Sequence, residues 1–238
     1  MADVEDGSVF GAEHGAHRKQ VTPTVFPHRR RRAPGRTQLT KPTRSTSRIV
    51  HHTLDVKGWL AAPPSVEAAR PGACVDCGAA SRPPGGQLGL HGHGHRDRQL
   101  CGPREVGSDP GWIVLACRRY RCVHCGAVLT VVPRGVAQRR HYGYAAIAMA
   151  LTLWAIIRAP IATVRRQVCA WPITTEAGTR WPTLQRWAHA ARRTVGDVRM
   201  SLIAVAARVA QIAIGRASPS LRTTSRVVQA FAGGEAMP

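Results

Sequence analysis

The chain has 238 residues, of which 34 are Lys or Arg and 13 are Asp or Glu, so its net charge is +21. Aromatic residues make up 5% and Gly and Pro together 40 residues, which argues against one large core and favours one or two small folded units with basic segments. The charge predicts a polyanionic partner, because clustered guanidinium groups bind phosphates. A GC-rich coding sequence is the alternative source of this charge, since 31 of the basic residues are Arg.

The sequence predicts neither a membrane span nor a secretory signal. Its most apolar run, residues 145–157, has 13 residues, whereas a spanning helix needs about 20. The N-terminus, MADVEDGSVF, is acidic and lacks a hydrophobic segment. Seven cysteines, four of them in C-x-x-C pairs, favour metal binding over disulfides. We therefore expect a reducing cytoplasm, with association with the nucleoid if DNA is the partner.

Residues 1–70 are predicted to form a disordered basic N-terminal arm. The segment HRRRRAPGRTQLTKPTRSTSR at 28–48 is rich in Arg, Thr, Ser and Pro and has no sustained hydrophobic period. The arm is either a phosphate-binding tail or a solvated extension, including one that results from a misassigned start codon. A short helix near the end of the arm is predicted by four apolar residues: Leu54, Val56, Trp59 and Leu60.

Residues 71–142 predict a small β zinc ribbon. Each of the motifs Cys74-Val-Asp-Cys77-Gly and Cys122-Val-His-Cys125-Gly places two thiolates on a tight turn, and the Gly suits a left-handed backbone. Four facing sulfurs would hold one structural Zn²⁺ per chain, with redox or unrelated thiols as the alternatives. The 44 residues between the pairs exceed the usual spacing of about 15–20, which indicates an elaborated ribbon arm. Strands are expected at 87–91, 112–121 and 127–132, and a loop at 101–111.

His91, His93 and His95 alternate with glycine, so on a regular strand they would share one face. A catalytic metal site is one interpretation of this run. Hydrogen-bonding or phosphate-contacting side chains are favoured, because the glycines loosen the strand and Asp97 is the one nearby carboxylate. The cysteines that lack a C-x-x-C partner are predicted to be ordinary buried or loop thiols: Cys101, Cys117 and Cys169.

Arginines around the second cysteine pair are predicted to contact phosphates. On a strand, Arg119 and Arg121 face one side and Arg118 and Tyr120 the other, and Arg interleaved with Tyr suits a phosphate-facing surface. A solvated strand edge that discourages aggregation is the alternative. The predicted phosphate contacts of this region are Arg118, Arg119, Arg121, Arg134, Arg139 and Arg140.

Residues 143–216 predict a helix-turn-helix-like helical region, and residues 217–238 a C-terminal helix or tail. Helices are expected at 145–158, 161–168, 182–193, from an Asp197 cap to 214, and at 218–231. In the third helix an apolar stripe of Leu184, Trp187 and Ala188 or Ala191 turns inward, which leaves a polar face for base edges in a major groove. That face comprises Thr183, Gln185, Arg186, His189, Arg192 and Arg193. A purely structural helical bundle is the alternative.

The fourth helix carries an apolar stripe at 3,4,3 spacing within residues 202–212. Such a stripe fits either a core helix or a helix–helix contact in a homo-oligomer. Its members are Leu202, Val205, Val209 and Ile212.

Three segments resemble the zinc-ribbon and helix-turn-helix region of bacterial insertion-sequence transposases, and more closely an uncharacterised family of transposase-like bacterial proteins. They read CVDCGAASRPPGGQLGLHGHGHRDR, RRYRCVHCGAVLTVVPRGVAQRRHY and TLQRWAHAARR and fall within residues 71–194. The resemblance implies binding of double-stranded DNA, with zinc on Cys74, Cys77, Cys122 and Cys125. Such transposases cut DNA with three carboxylates that hold two metal ions. This chain departs from them, because only Glu176, Asp197 and Glu235 follow residue 142 and about 45 residues remain beyond the third helix.

The sequence as a whole predicts an α+β chain with an N-terminal arm, a β zinc ribbon and a helix-turn-helix-like bundle. Its predicted function is zinc-dependent DNA binding without a nuclease domain of its own. The alternatives are an active transposase component, a metallohydrolase that uses the three histidines, an RNA-binding zinc-ribbon protein, and a non-binding remnant of a decayed reading frame.

Overall fold

A computed structural model of the chain describes residues 48–138, 140–171, 181–195 and 199–237. The predicted arm at 1–47, Arg139, Glu176 and the Asp197 cap lie outside the described residues. The described residues belong to one unit of mixed α and β structure, which confirms the predicted α+β class.

Four strands form one sheet in the order β1-β4-β3-β2. The pairs β2 with β3 and β3 with β4 are antiparallel, as expected of strands joined by short local connections. Among the strands, the one predicted at 87–91 differs most from its prediction, because the observed strand begins at Leu90 and continues through the histidine run to Gly102. The strands are β1 (Ile49–Asp55), β2 (Leu90–Gly102), β3 (Gly111–Cys122) and β4 (Val128–Arg134).

The structure corrects the predicted arm at residues 48–70. β1 pairs in parallel with β4, and the short predicted helix follows it as α1 (Val56–Ala61). Trp59 of α1 is buried, and its Nε1 donates to the Ala116 carbonyl at 3.2 Å. A lone heptapeptide, IVHHTLD, has no partner nearby in the sequence, so its strand character depends on β4, more than 70 residues later.

Five further helices form the second half of the fold. α2 is buried on nearly all sides because it packs against the other four, as an apolar helix without a polar face must. Within the described residues, no helix combines the length and apolarity that crossing a membrane requires. The predicted helix at 218–231 is instead a short 3-10 turn followed by the last helix. The helices are α2 (Tyr144–Ala155), α3 (Ile161–Val168), α4 (Pro182–Val195), α5 (Leu202–Gly215) and α6 (Arg226–Glu235).

Two glycines allow α6 to approach its neighbours closely. A Cβ on Gly233 would lie 1.7 Å from the Ala213 carbonyl oxygen of α5, and one on Gly234 would lie 2.6 Å from the Ala145 Cα of α2. α5 contacts α6 through small residues. The apolar stripe of α5 at 202–212 therefore lies only partly in the core. Val205 is buried, Leu202 and Val209 are half-buried, and Ile212 is 37% exposed.

Candidate metal centre and nucleic-acid interface

The two cysteine motifs fold into matching turns. In the first, the Cys74 N–H donates to Ala79 O at 2.9 Å and the Gly78 N–H to Cys74 O at 2.8 Å. The second turn repeats both bonds around Cys122, each at 2.9 Å. The glycine after each pair has φ +72°, a left-handed conformation that glycine adopts without strain. The repeated local pattern therefore produces the repeated geometry that presents two sulfurs from each turn.

The four sulfur atoms meet at the spacing of metal ligands. The Sγ atoms of Cys74 and Cys125 lie 3.7 Å apart, as do those of Cys77 and Cys122, and all four lie within 4.8 Å of one another. A tetrahedral ion with metal–sulfur bonds of about 2.3 Å requires sulfur–sulfur distances of about 3.8 Å, whereas a disulfide requires about 2.0 Å. The cluster can therefore hold a metal ion and is compatible with zinc.

The local electrostatics favour a cation among these sulfurs. Desolvation among the sulfurs, together with the neighbouring thiols of Cys77, Cys74 and Cys122, raises the pKa of the Cys125 thiol to about 12, against a lowering contribution from the backbone at Ala127. Four adjacent thiolates repel one another, so they can all ionise only when a positive charge lies between them. A divalent ion supplies that charge, and four sulfurs leave it no open position.

The histidine run does not share one face, which corrects that prediction. His91 lies opposite Arg121 and His95 opposite Arg118, and a β-bulge with Gly94 at φ +74° separates the two pairs. Because the bulge inserts one extra residue, His91 and His95 point to opposite faces of the sheet. Among the residues that the structure describes, the four cysteines form the one group of three or more potential ligands close enough to share a metal.

The arginines predicted to contact phosphates separate into two sets on β3. Arg119 and Arg121 share a face on which Arg121 is exposed. Arg118 lies on the other face, where its Nε donates to Pro64 O at 3.0 Å and its guanidinium contacts His95. Tyr120 is buried beside it, with its hydroxyl donating to Val66 O at 2.7 Å. The segment at 62–70 thus covers Arg118 and leaves Arg121 open.

Two other predicted phosphate contacts lie outside β3. Arg134 ends β4 and is half-buried, and its Nε has no hydrogen-bond acceptor among the described residues. Arg140 is half-buried, and its carbonyl accepts from Arg98 at 3.2 Å. The sequence grouped these arginines because they are close along the chain, but the structure places them on both faces of β3, at the end of β4 and in the segment after it.

α4 has the two faces that its spacing predicts. Leu184, Trp187 and Ala188 are buried, and Trp187 stacks edge-on against Tyr142 with ring centroids 5.0 Å apart. Thr183 and Arg192 are half-buried, and Arg192 donates to a backbone carbonyl, that of Met200, at 2.7 Å. The remaining predicted outer residues are exposed: Gln185, Arg186, His189 and Arg193.

The three cysteines outside the cluster are buried, as predicted. Burial raises the pKa of the Cys117 thiol to about 11 and also raises that of Cys101. Cys169 accepts a hydrogen bond from the Tyr142 hydroxyl at 3.2 Å. The three buried thiols therefore contribute to packing, and the raised pKa values of Cys101 and Cys117 keep those two protonated at neutral pH.

Arg48 and the covering segment at 62–70 were not predicted as parts of the site, because the sequence indicates a disordered arm over residues 1–70. The one available signal was Asp76, an acidic residue inside the first cysteine turn, which forms an ion pair with Arg48. No protein-family model, no curated protein and no solved structure matches this chain.

Proposed function

We propose that this chain is a DNA-binding protein whose fold depends on one structural Zn²⁺ held by Cys74, Cys77, Cys122 and Cys125. The observation that carries the proposal is the convergence of four sulfurs, all within 4.8 Å, in a chain of net charge +21. Zinc is the metal that four cysteines in paired C-x-x-C turns suit best, and a site closed by four ligands is structural. The free energy of binding such an ion is then part of the free energy of folding.

The zinc supports the sheet that presents the arginines. The second turn joins β3 to β4, and the first turn comes from the chain that precedes β2, so one ion ties three parts of the sheet together. Arg119 and Arg121 lie within four residues of Cys122 on β3. Because their positions depend on that strand, loss of zinc should also reduce binding to phosphates.

A second contact to duplex DNA is supported by α4. Neither α3 (IATVRRQV) nor α4 (PTLQRWAHAARRTV) contains an acidic residue, so no carboxylate on these helices repels phosphate. Gln185, Arg186 and His189 lie on the exposed face of α4, and Gln and Arg are side chains that read base edges in a major groove. The proposed division of roles gives phosphate contacts to the β3 arginines and base contacts to α4. As in the transposase-like proteins that the sequence resembles, this role is DNA binding, here without a cleavage step.

The proposal is tested by measuring the affinity of the full chain for a labelled duplex across a salt series, before and after removal of zinc with a strong chelator. We expect one zinc per chain, affinity that falls steeply with salt, and loss of binding on chelation. Cys125→Ser should lose the zinc and the DNA affinity, whereas Cys117→Ala, outside the cluster, should keep both. Duplex binding that survives zinc removal would refute the proposal. The absence of any duplex binding at low salt would also refute it.

The role of α4 has its own matched pair of variants. Arg186→Ala removes an exposed arginine of α4 and should weaken duplex binding by about tenfold. Arg208→Ala removes an exposed arginine of α5, outside the proposed interface, and should leave the affinity within about twofold. The same measurements on an RNA duplex of equal length test the partner class, since tighter binding to RNA would contradict the proposed preference for DNA.

A further inference from the structure

A cavity of about 650 Å³ lies where the sheet meets the helices. It is enclosed by α1, the loop at 103–110, the start of α2 and the end of α6. Its volume falls within the about 300–1,000 Å³ typical of sites that bind small molecules or single groups. Leu100, Ile113 and Phe231 give it apolar walls, while Glu105 and Asp109 bring carboxylates from the loop. The cavity therefore has the mixed lining that suits a flat aromatic group with a polar edge.

Trp112 forms one wall of this cavity and is 38% exposed. Its ring is held edge-on by Trp171, with centroids 4.4 Å apart, and by His141, with centroids 6.5 Å apart. Trp171 is itself 48% exposed. Adjacent large aromatic side chains that are both exposed indicate a binding surface, whereas a single exposed apolar residue does not. The neighbouring rings hold Trp112 in place at the cavity, and the exposed part of its ring is available for stacking.

The polar groups at the cavity are also fixed in position. The Ser108 hydroxyl accepts from the N–H groups of Arg104 and Glu105 at 3.1 and 3.2 Å, which fixes the turn of the loop. Opposite the loop, the Lys57 ammonium lies 3.4 Å from Glu235. Side chains that donate, Lys57 and Arg104, thus line the cavity together with side chains that accept, Glu105 and Asp109. The edge of a nucleobase requires both kinds of group, whereas a simple anion would need donors alone.

From this arrangement we infer that the cavity takes one unpaired nucleobase of the bound DNA, stacked on Trp112. The inference rests on the proposed function and adds a specificity to it, namely for DNA with an unpaired base. Stacking of a base on an aromatic side chain is tolerant of sequence and strengthens binding appreciably. An already unpaired base also avoids the free energy that unstacking a paired base would cost. Exposed Arg104 and Lys57 at the cavity can meet the phosphates on either side of that base.

The test uses the zinc-loaded full chain and three matched DNA duplexes. One is fully paired, one carries a single extra unpaired adenine, and one carries an abasic nucleotide at that position. We expect the adenine-containing duplex to bind about tenfold more tightly than the other two. Trp112→Leu should remove this preference and leave the affinity for paired DNA unchanged. Val114→Ala changes an apolar residue two positions along the same strand that is even more exposed than Trp112, and it should keep the preference.

A second variant tests the cavity without changing Trp112. Ala61 lines the cavity from the end of α1 and is exposed, so Ala61→Trp should fill the space and also remove the preference. The inference is overturned if the chain binds paired DNA but gains no affinity from the unpaired adenine. It is also overturned if the gain in affinity survives both variants. Either result leaves the proposed function standing. Failure to bind any of the three duplexes overturns both. An equal gain with the RNA version of the bulged duplex overturns the assignment to DNA.

Discussion

The Arg48 guanidinium Nε lies 2.9 Å from the Asp76 carboxylate, and this ion pair joins the start of β1 to the first cysteine turn. The Asp76 side chain is 7% exposed and that of Arg48 39%. The Arg48 carbonyl also accepts from the Thr130 N–H of β4 at 2.8 Å. One residue therefore connects the edge of the sheet, the strand beside it and the first cysteine turn.

Arg48→Met should lower the free energy of unfolding by about 1–3 kcal/mol, because it leaves the buried Asp76 carboxylate without its counter-charge. Denaturant unfolding of the zinc-loaded protein measures this loss. The matched control is Arg82→Met, which breaks the surface ion pair with Glu67 and should cost less than about 1 kcal/mol. Equal losses in the two variants would contradict a supporting role for Arg48. The double variant Arg48→Met with Asp76→Asn should recover part of the stability.

The reactivity of the thiols should divide the seven cysteines into two groups. At neutral pH, zinc should protect its four ligands from alkylation, while burial protects Cys101, Cys117 and Cys169. Chelation should therefore expose at least the four cluster thiols, and denaturation all seven, counted by mass spectrometry after brief alkylation. Cys77 and Cys125, the exposed members of the cluster, should react first. Alkylation of these two at the same rate with and without zinc would count against the metal site.

Arginines on the two faces of β3 should have different roles. Replacing Arg119 and Arg121 together by Ala should weaken duplex binding and reduce the salt slope by about 2, because each phosphate contact releases about one counterion. Arg118→Ala should instead lower the melting temperature, since its guanidinium holds the segment at 62–70 to the sheet. Titrations of duplex DNA at several salt concentrations, with parallel thermal melts, separate the two effects. The assignment is wrong if Arg118→Ala changes the salt slope as much as the double variant.

Gly233→Ala should destabilise the helical half by about 3 kcal/mol or more, because the new Cβ meets the Ala213 carbonyl and α6 must move. Gly215→Ala, at the end of α5, is the control, since a Cβ there meets nothing within 4 Å. That control should be neutral or slightly stabilising, because Ala restricts the unfolded chain more than Gly does. Denaturant unfolding measures both variants, and similar values for the two would show that α5 and α6 do not approach this closely.

Stability should fall as the pH rises from about 9 to 11. Burial raises the pKa of the folded Cys117 thiol to about 11, whereas the unfolded thiol has an ordinary pKa of 9.0. Between these values the unfolded chain loses its proton while the folded chain keeps it, so the free energy of unfolding decreases with pH. Cys117→Ala should show a shallower decrease in this range than the wild type. Parallel stability–pH curves for the two proteins would contradict the shift.

The local patterns of the sequence predicted the elements that depend on local chemistry. Each C-x-x-C-G motif specifies its own turn, so the four cysteines of the cluster could be identified without the fold. The spacing of Leu184, Trp187 and Ala188 likewise identified the buried face of α4, because a helix places residues three and four apart on one side. The prediction that Arg118 and Arg119 face opposite sides of β3 was also correct, because successive side chains of a strand point to opposite faces.

The tertiary structure decided what depends on pairing between distant residues. β1 is a strand only because β4 offers it hydrogen-bonding partners, and Arg48 gains a role only because β1 lies beside the first cysteine turn. The bulge that separates His91 from His95 depends on the register between β2 and β3, which no period in the sequence reveals. The sequence by itself thus determined the two cysteine turns and the polar face of α4, since short-range geometry is sufficient for both. The cavity beside Trp112 arises where segments far apart in the chain converge, and only the folded chain brings them together.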